Sequence, residues 1–159
     1  MVKSTGVKED GAAPPGGDAF KDAPWPPQSF SVSHLSDDDF KGDGLRPYAL
    51  YRDLGMAAAT GGMVEAHVAR RARPFNRADV SKRHFHDVQF QMVYVLKGWV
   101  RNEFDGHGEQ LMREGSCWIQ PARIKHTVLE YSDDLEVLEI VIPAKYETVD
   151  VDEPPGGSR

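Results

Sequence analysis

Two histidines one residue apart, His84 and His86, with Gln91 just after them and His126 forty residues beyond His86, are the side chains of this sequence best suited to shared chemistry. On a β-strand, residues i and i+2 leave the same face, so the pair acts together. Gln91 lies an odd five positions past His86, and a turn at about Asp87–Phe90 is needed to return it to the inner face of the next strand. His126 follows Gly115 and Pro121 in a second strand–turn–strand unit. Three imidazoles and one amide oxygen brought together in this way are expected to bind one divalent metal. The alternative, polar residues on an exposed sheet face, fits poorly with the strongly apolar strands around them.

Such a site needs strands to carry it, and from residue 83 the pattern is regular. His84–His86, Gln91–Leu96, Trp99–Phe104, Glu109–Arg113, Ser116–Pro121, His126–Tyr131 and Leu135–Ile142 are short apolar-rich segments. Turn residues separate them: Lys97-Gly98, Asp105-Gly106-His107-Gly108, Glu114-Gly115 and Ser132-Asp133-Asp134. Many short strands at this spacing predict a sandwich or barrel. Upstream, Arg46–Asp53 and Met63–Arg70 read as strands, Gly61-Gly62 as a turn, and Ser36 as the cap of a helical turn over Asp37–Phe40. Arg70, Arg71 and Arg73 form a basic cluster, expected as a solvated face or, less often, a phosphate contact. Residues 1–28, rich in Gly, Ala, Pro and charge, are expected to be a disordered arm, with Trp25 pinning its end. Residues 29–149 are expected to form one domain and 150–159 a disordered tail.

The 159 residues suffice for one domain, and a hydrophobic content of 40% with 28% charged residues is ordinary for a globular chain. The net charge of −6 argues against a nucleic-acid or anionic-membrane partner. No apolar run approaches a membrane span, and the N-terminal stretch has no apolar signal core, so a cytoplasmic protein is expected. The single cysteine, Cys117, rules out an intrachain disulfide and fits a reducing compartment. It lies on a strand of the ligand-bearing unit. If Cys117 and Ile119 face the lumen, Trp118 faces outward. A thiol near a dication would be pushed toward thiolate, whereas a lone cysteine is otherwise a small buried hydrophobe. Tyr94, Arg101, Glu130 and Glu139 are further candidates for acid, base or phosphate contact. His34, His67 and His107 lack partners at ligand spacing and read as solvated or structural.

The chain resembles the cupin superfamily over roughly residues 65–145. The family's first motif reads here as His84, His86, Gln91 and Gly98, and its second as Gly115, Pro121, Arg123 and His126. Four positions depart from the family pattern: Ala78 and Arg123 stand where glycine is usual, Gln91 where glutamate is usual and Glu130 where asparagine is usual. The resemblance implies an all-β double-stranded β-helix, or jelly-roll barrel, with motifs at 84–98 and 115–130. It implies a metal held by His84, His86, Gln91 and His126, with manganese favoured and iron, nickel or zinc also fitting. It further implies a small-molecule substrate and a homodimer.

The His-His-Gln-His set is similar to that of sugar-processing cupins such as those that linearise unsaturated uronates. The stretch from Leu45 to Val149 also resembles a subgroup of small cupins, through Tyr51-Arg-Asp-Leu-Gly55, His86-Asp-Val-Gln-Phe-Gln-Met-Val-Tyr-Val95, Gly115-Ser-Cys117 and Leu138-Glu-Ile-Val-Ile-Pro-Ala144. That subgroup includes a methylthioxylulose-phosphate methylsulfurylase, which implies methylthio transfer through a catalytic Cys117. A metal-dependent enzyme acting on a sugar phosphate or similar oxygen-rich molecule is therefore the leading expectation. An isomerase, a dioxygenase and a non-catalytic ligand-binding protein are the alternatives.

Overall fold

The computed structural model describes residues 26–42, 44 and 46–151. Most of the expected arm, including Trp25, and most of the expected tail lie outside the described residues.

Ten strands make up the fold: β1 (Ala49–Asp53), β2 (Glu65–Arg71), β3 (His84–Asp87), β4 (Phe90–Lys97), β5 (Trp99–Phe104), β6 (Gly108–Arg113), β7 (Cys117–Ile119), β8 (His126–Tyr131), β9 (Glu136–Ile142) and β10 (Glu147–Asp150). They form two antiparallel five-stranded sheets, ordered β1-β2-β9-β4-β7 and β10-β3-β8-β5-β6. This is the double-stranded β-helix expected from the sequence. β10 was not anticipated. It pairs with β3, setting Thr148 opposite His86 and Asp150 opposite His84. Two short helices, α1 (Met56–Ala59) and α2 (Arg77–Val80), lie outside the sheets. The turn expected near Ser36 is a single 3-10 turn over Asp37–Asp39, with no side-chain cap from Ser36. Among the described residues no helix is long and apolar enough to cross a membrane.

The core between the sheets is built from inward-facing positions such as Val93, Val95, Val100, Phe104, Tyr131 and Val137. Gln91 shares the inner face of β4 with Val93 and Val95, so the same alternation that buries the core carries a polar group into the interior. Arg123 adopts φ 62°, the left-handed conformation that glycine takes without strain, at the position where the family pattern has glycine.

Candidate metal centre

β3 and β8 are neighbours, and their register sets His84 directly opposite His126. With His86 on the same face of β3, the three rings enclose one point, and their nearest ring nitrogens all lie within 4.8 Å of one another. All three side chains are buried.

Each ring is held at Nδ1. His84 Nδ1 donates to the carbonyl of Lys82 (2.8 Å) and His126 Nδ1 to that of Ile124 (3.1 Å). A carbonyl only accepts, so the ring proton sits on Nδ1 and the Nε2 lone pair is left for the interior. His86 Nδ1 meets Thr148 Oγ1 at 2.8 Å, an oxygen supplied by β10. Burial favours the neutral rings. It lowers the pKa of His84, with the Arg46 charge adding to it. Burial lowers that of His86 to about 4, and His84 and Arg46 contribute in the same direction. His126 is lowered to about 3, by burial first and then by the neighbouring His84. Three neutral rings whose ligand atoms cluster in this way form a donor set that suits a first-row divalent metal.

Gln91 comes from the facing sheet. Its Nε2 donates to Glu139 Oε2 (3.4 Å), and its Oε1 accepts from Gln120 Nε2 (3.0 Å). The same Gln120 nitrogen lies 3.3 Å from His126 Nε2. Two of the expected ligand atoms, Gln91 Oε1 and His126 Nε2, thus meet at one amide NH2. The residues fit a metal, and the structure brings the four sequence-predicted ligands to one cavity of about 510 Å³.

The cavity holds more than the sequence reading anticipated. His67, expected to be structural, lines it from β2. His67 Nδ1 is 3.2 Å from Glu65 Oε1, and Nε2 is 3.6 Å from Glu139 Oε2. Burial opposes protonation of His67, yet the bonds and charges of Glu139 and Glu65 outweigh it and raise its pKa. Burial likewise acts to raise the pKa of Glu139, but His67, together with the charges of His86 and Arg71, holds it at about 2. Tyr51 stands edge-on to His67 with ring centres 5.3 Å apart, and Tyr146 edge-on to His86 at 5.7 Å. Burial, and then Glu139, raise the pKa of both phenols, which keeps them protonated. The signal that could have found His67 is the strict alternation of Glu65, His67, Ala69 and Arg71 along β2, all four of which line the cavity.

Cys117 is exposed, on the face of β7 opposite Trp118, and it is Trp118 that lines the cavity. Of the orientations the sequence left open, the structure has Trp118 inward with Cys117 and Ile119 exposed, so Cys117 is neither in the lumen nor a buried hydrophobe. The reason is register: Trp118 pairs with Val93, an inward core residue, and Cys117 pairs with Tyr94 on the outer face. Tyr94 is exposed, and Arg101 and Glu130 bond each other (2.7 Å) away from the cavity. Of these softer candidates only Glu139 reaches the site. His34 and His107 are exposed, as expected.

Residues 76–141 match the family model for the cupin domain. Among solved structures the chain is similar to KdgF from a Halomonas species, at 18% identity and a TM-score of 0.54, covering 71% of this chain and 96% of that one. It is similar to the polyketide cyclase RemF from Streptomyces resistomycificus, at 14% identity and a TM-score of 0.58, covering 78% and 88%. It is also similar to the oxalate decarboxylase of Lactobacillus farciminis, at 14% identity and a TM-score of 0.54, covering 72% and 34%. At these identities the likeness speaks for the fold. A comparison with curated protein sequences found no match. Residues 76–141 thus match a cupin domain, and the solved neighbours share the fold of the chain around it.

Proposed function

We propose that this protein is a metal-dependent cupin enzyme in which His84, His86 and His126, joined by Gln91, hold a divalent metal that activates a small oxygen-rich substrate. The observation that carries this reading is the anchoring of three buried rings at Nδ1, two of them to carbonyls, which turns the Nε2 side of each ring toward one cavity. A bound divalent metal would supply Lewis-acid polarisation of a substrate carbonyl or hydroxyl oxygen. A neutral amide at position 91, in place of a carboxylate, would leave more of the metal's charge for that task. Manganese is the favoured ion by family resemblance, and iron, nickel and zinc suit the same nitrogen–oxygen donors.

The chain's own groups complete the chemistry. Glu139 and His67 stand 3.6 Å apart on the wall that also carries Gln91, and they are placed to take a proton from a substrate carbon or oxygen and return it elsewhere. Tyr51 and Tyr146 are protonated phenols that can donate to substrate oxygens. Proton transfer of this kind is isomerase-like, lyase-like or cyclase-like chemistry, and it uses side chains the cavity contains. Methylthio transfer, the finer expectation, requires a thiolate beside the metal. The outward position of Cys117 speaks against it, so we place proton transfer ahead. A homodimer remains part of the reading by family resemblance alone, with no face of the barrel assigned to it.

Elemental analysis of the purified protein tests the metal. Near-stoichiometric metal in wild type, and its loss in His84→Ala and His126→Ala, are expected. Equal metal content in wild type and both variants would overturn the site.

A further inference from the structure

We propose that Arg46 and Arg71 form an oxyanion subsite on one rim of the metal cavity, so that the molecule bound there carries a carboxylate or phosphoryl group besides the oxygens it offers to a metal. This deepens the metal-enzyme reading and rests on it for the identity of the ligand as a substrate.

The three arginines at 70, 71 and 73 do not behave as one basic patch. Arg70 leaves the outer face of β2 and pairs with Asp37 (2.9 Å), and Arg73 pairs with Asp79 (3.4 Å). Arg71, one step from Arg70 on the strand, turns inward and lines the cavity. Its guanidinium lies over the ring of Tyr131, 4.6 Å from the centroid, and within 5.6 Å of that of Tyr48. Its Nε is buried and finds no hydrogen-bond partner among the described residues.

Arg46 reaches the same rim by a different route. Ala49 donates its backbone N–H to the Arg46 carbonyl (3.1 Å), and Ala49 is the residue paired with Arg71 across β1 and β2. The turn into β1 therefore returns the Arg46 backbone to the end of β1 that pairs with Arg71, and both side chains line the cavity. Arg46 Nη1 is 3.7 Å from Asp150 Oδ1, a long contact to a half-exposed carboxylate. Its Nη2 is buried and likewise finds no partner among the described residues.

A guanidinium keeps its charge in any protein environment, and a buried donor left unpaired is costly. Glu139 shares its field with Arg71, but among the described residues no nearby acid bonds either of the two unpaired nitrogens. Glu65 and Glu139 are engaged by His67, and Asp53 Oδ1 accepts from the Gly55 N–H (2.7 Å). Two guanidinium groups lining one cavity, each with a nitrogen left unpaired among the described residues, are suited to the planar, multi-oxygen face of a carboxylate or phosphate.

The test compares protein as purified with protein stripped by chelator, metal content being read by elemental analysis. Inorganic phosphate and glycolate are titrated at constant ionic strength, and binding is read from the thermal midpoint. Saturable stabilisation of the metal-free wild type by at least one probe is expected. Arg46→Gln and Arg71→Gln should each weaken apparent affinity tenfold or more, and Arg71→Lys less. A preference for phosphate identifies a phosphate ester as the ligand class, and a preference for glycolate a carboxylate. Absence of saturable stabilisation with both probes, or titrations in the arginine variants that match wild type, overturns the subsite. Should Arg71→Gln fail to fold because its packing on Tyr131 is lost, Arg46→Gln decides. Because the subsite is read without metal, a wild type that holds no metal defeats the enzyme reading alone.

Discussion

His84 and His126 face each other across the β3–β8 pair with ring centres 4.2 Å apart. Two strands with different neighbours in sequence thus contribute one donor each from a single register position, and His86 adds a third from the same face. Removing either member of the facing pair takes away a nitrogen that no other described histidine can replace, since His67 is committed to Glu65 and Glu139. His84→Ala and His126→Ala should each lower metal affinity by at least two orders of magnitude while the fold persists. Metal titration of both variants, followed by circular dichroism, checks this.

Gln91→Glu makes a sharper demand. The new carboxylate would stand where Gln91 now donates to Glu139 at 3.4 Å, so two carboxylates would face each other. Like charges at that range disfavour joint ionisation. The metal-free variant should be less stable than wild type, by about 1–3 kcal/mol. Metal would offset the repulsion, so the rise in thermal midpoint on adding metal should be larger for Gln91→Glu than for wild type. Equal rises would show that position 91 does not sense the ion.

The strands with strong alternation were legible in the sequence: Trp99–Phe104 and His126–Tyr131 match residue for residue, because Gly98 and Asp105-Gly106 bound the first and Ser132-Asp133-Asp134 closes the second. β10 was not, because Glu-Thr-Val-Asp has too little apolar content to announce itself and is a strand only by pairing with β3. The histidine trio was legible because i, i+2 spacing speaks of one face. Gln120, His67, Arg46 and Arg71 depend on which sheet face closes over which, a tertiary matter. The parity of β7 was ambiguous for a related reason. Cys117, Trp118 and Ile119 are all apolar, so only the pairing of Trp118 with the core residue Val93 decides which side is inside.

The His67–Glu139 contact carries a pH signature. The carboxylates raise the folded-state pKa of His67, and His67 holds that of Glu139 at about 2. The His67 contribution is present below the unfolded histidine value of about 6.5 and is lost as pH rises through the higher folded value. The Glu139 contribution is present above the unfolded carboxyl value of about 4.3 and is lost as pH falls through about 2. The pair therefore stabilises the metal-free protein most between roughly pH 4.3 and 6.5. Glu139→Gln should lower the His67 titration midpoint, since burial then acts against a weaker opposing charge. Imidazole NMR of the metal-free variant reads this, and an unchanged midpoint would show that the contact is not formed in solution.

Gly98 tests the turn between β4 and β5. It adopts φ 73°, and a Cβ there would lie 2.7 Å from Asp134 Oδ1 and 3.1 Å from Leu135 Cα, with Ser132 Oγ also in the way. Strain and collision act together, and the Leu135 backbone cannot swing aside as a side chain can. Gly98→Ala should cost about 2 kcal/mol or more of unfolding free energy, as measured by denaturant titration.

Cys117 separates the enzyme readings most directly. A thiol that attacks sulfur beside a metal must reach the cavity, and here the strand directs Trp118 there instead. The thiol lies on the exposed outer face opposite Tyr94, so a reagent such as a water-soluble aromatic disulfide should label it in the native protein at close to one equivalent. Serine in its place removes no packing in the core, so Cys117→Ser should alter stability by no more than about 0.5 kcal/mol. Metal content should be unchanged, because none of the anchoring contacts to His84, His86 or His126 involves β7. Trp118→Ala, by contrast, opens the cavity wall and should depress both stability and ligand binding. If Cys117→Ser instead abolished turnover on a substrate for which Trp118→Ala was tolerated, β7 would have to present its other face in solution, and methylthio transfer through the thiolate would return to the front.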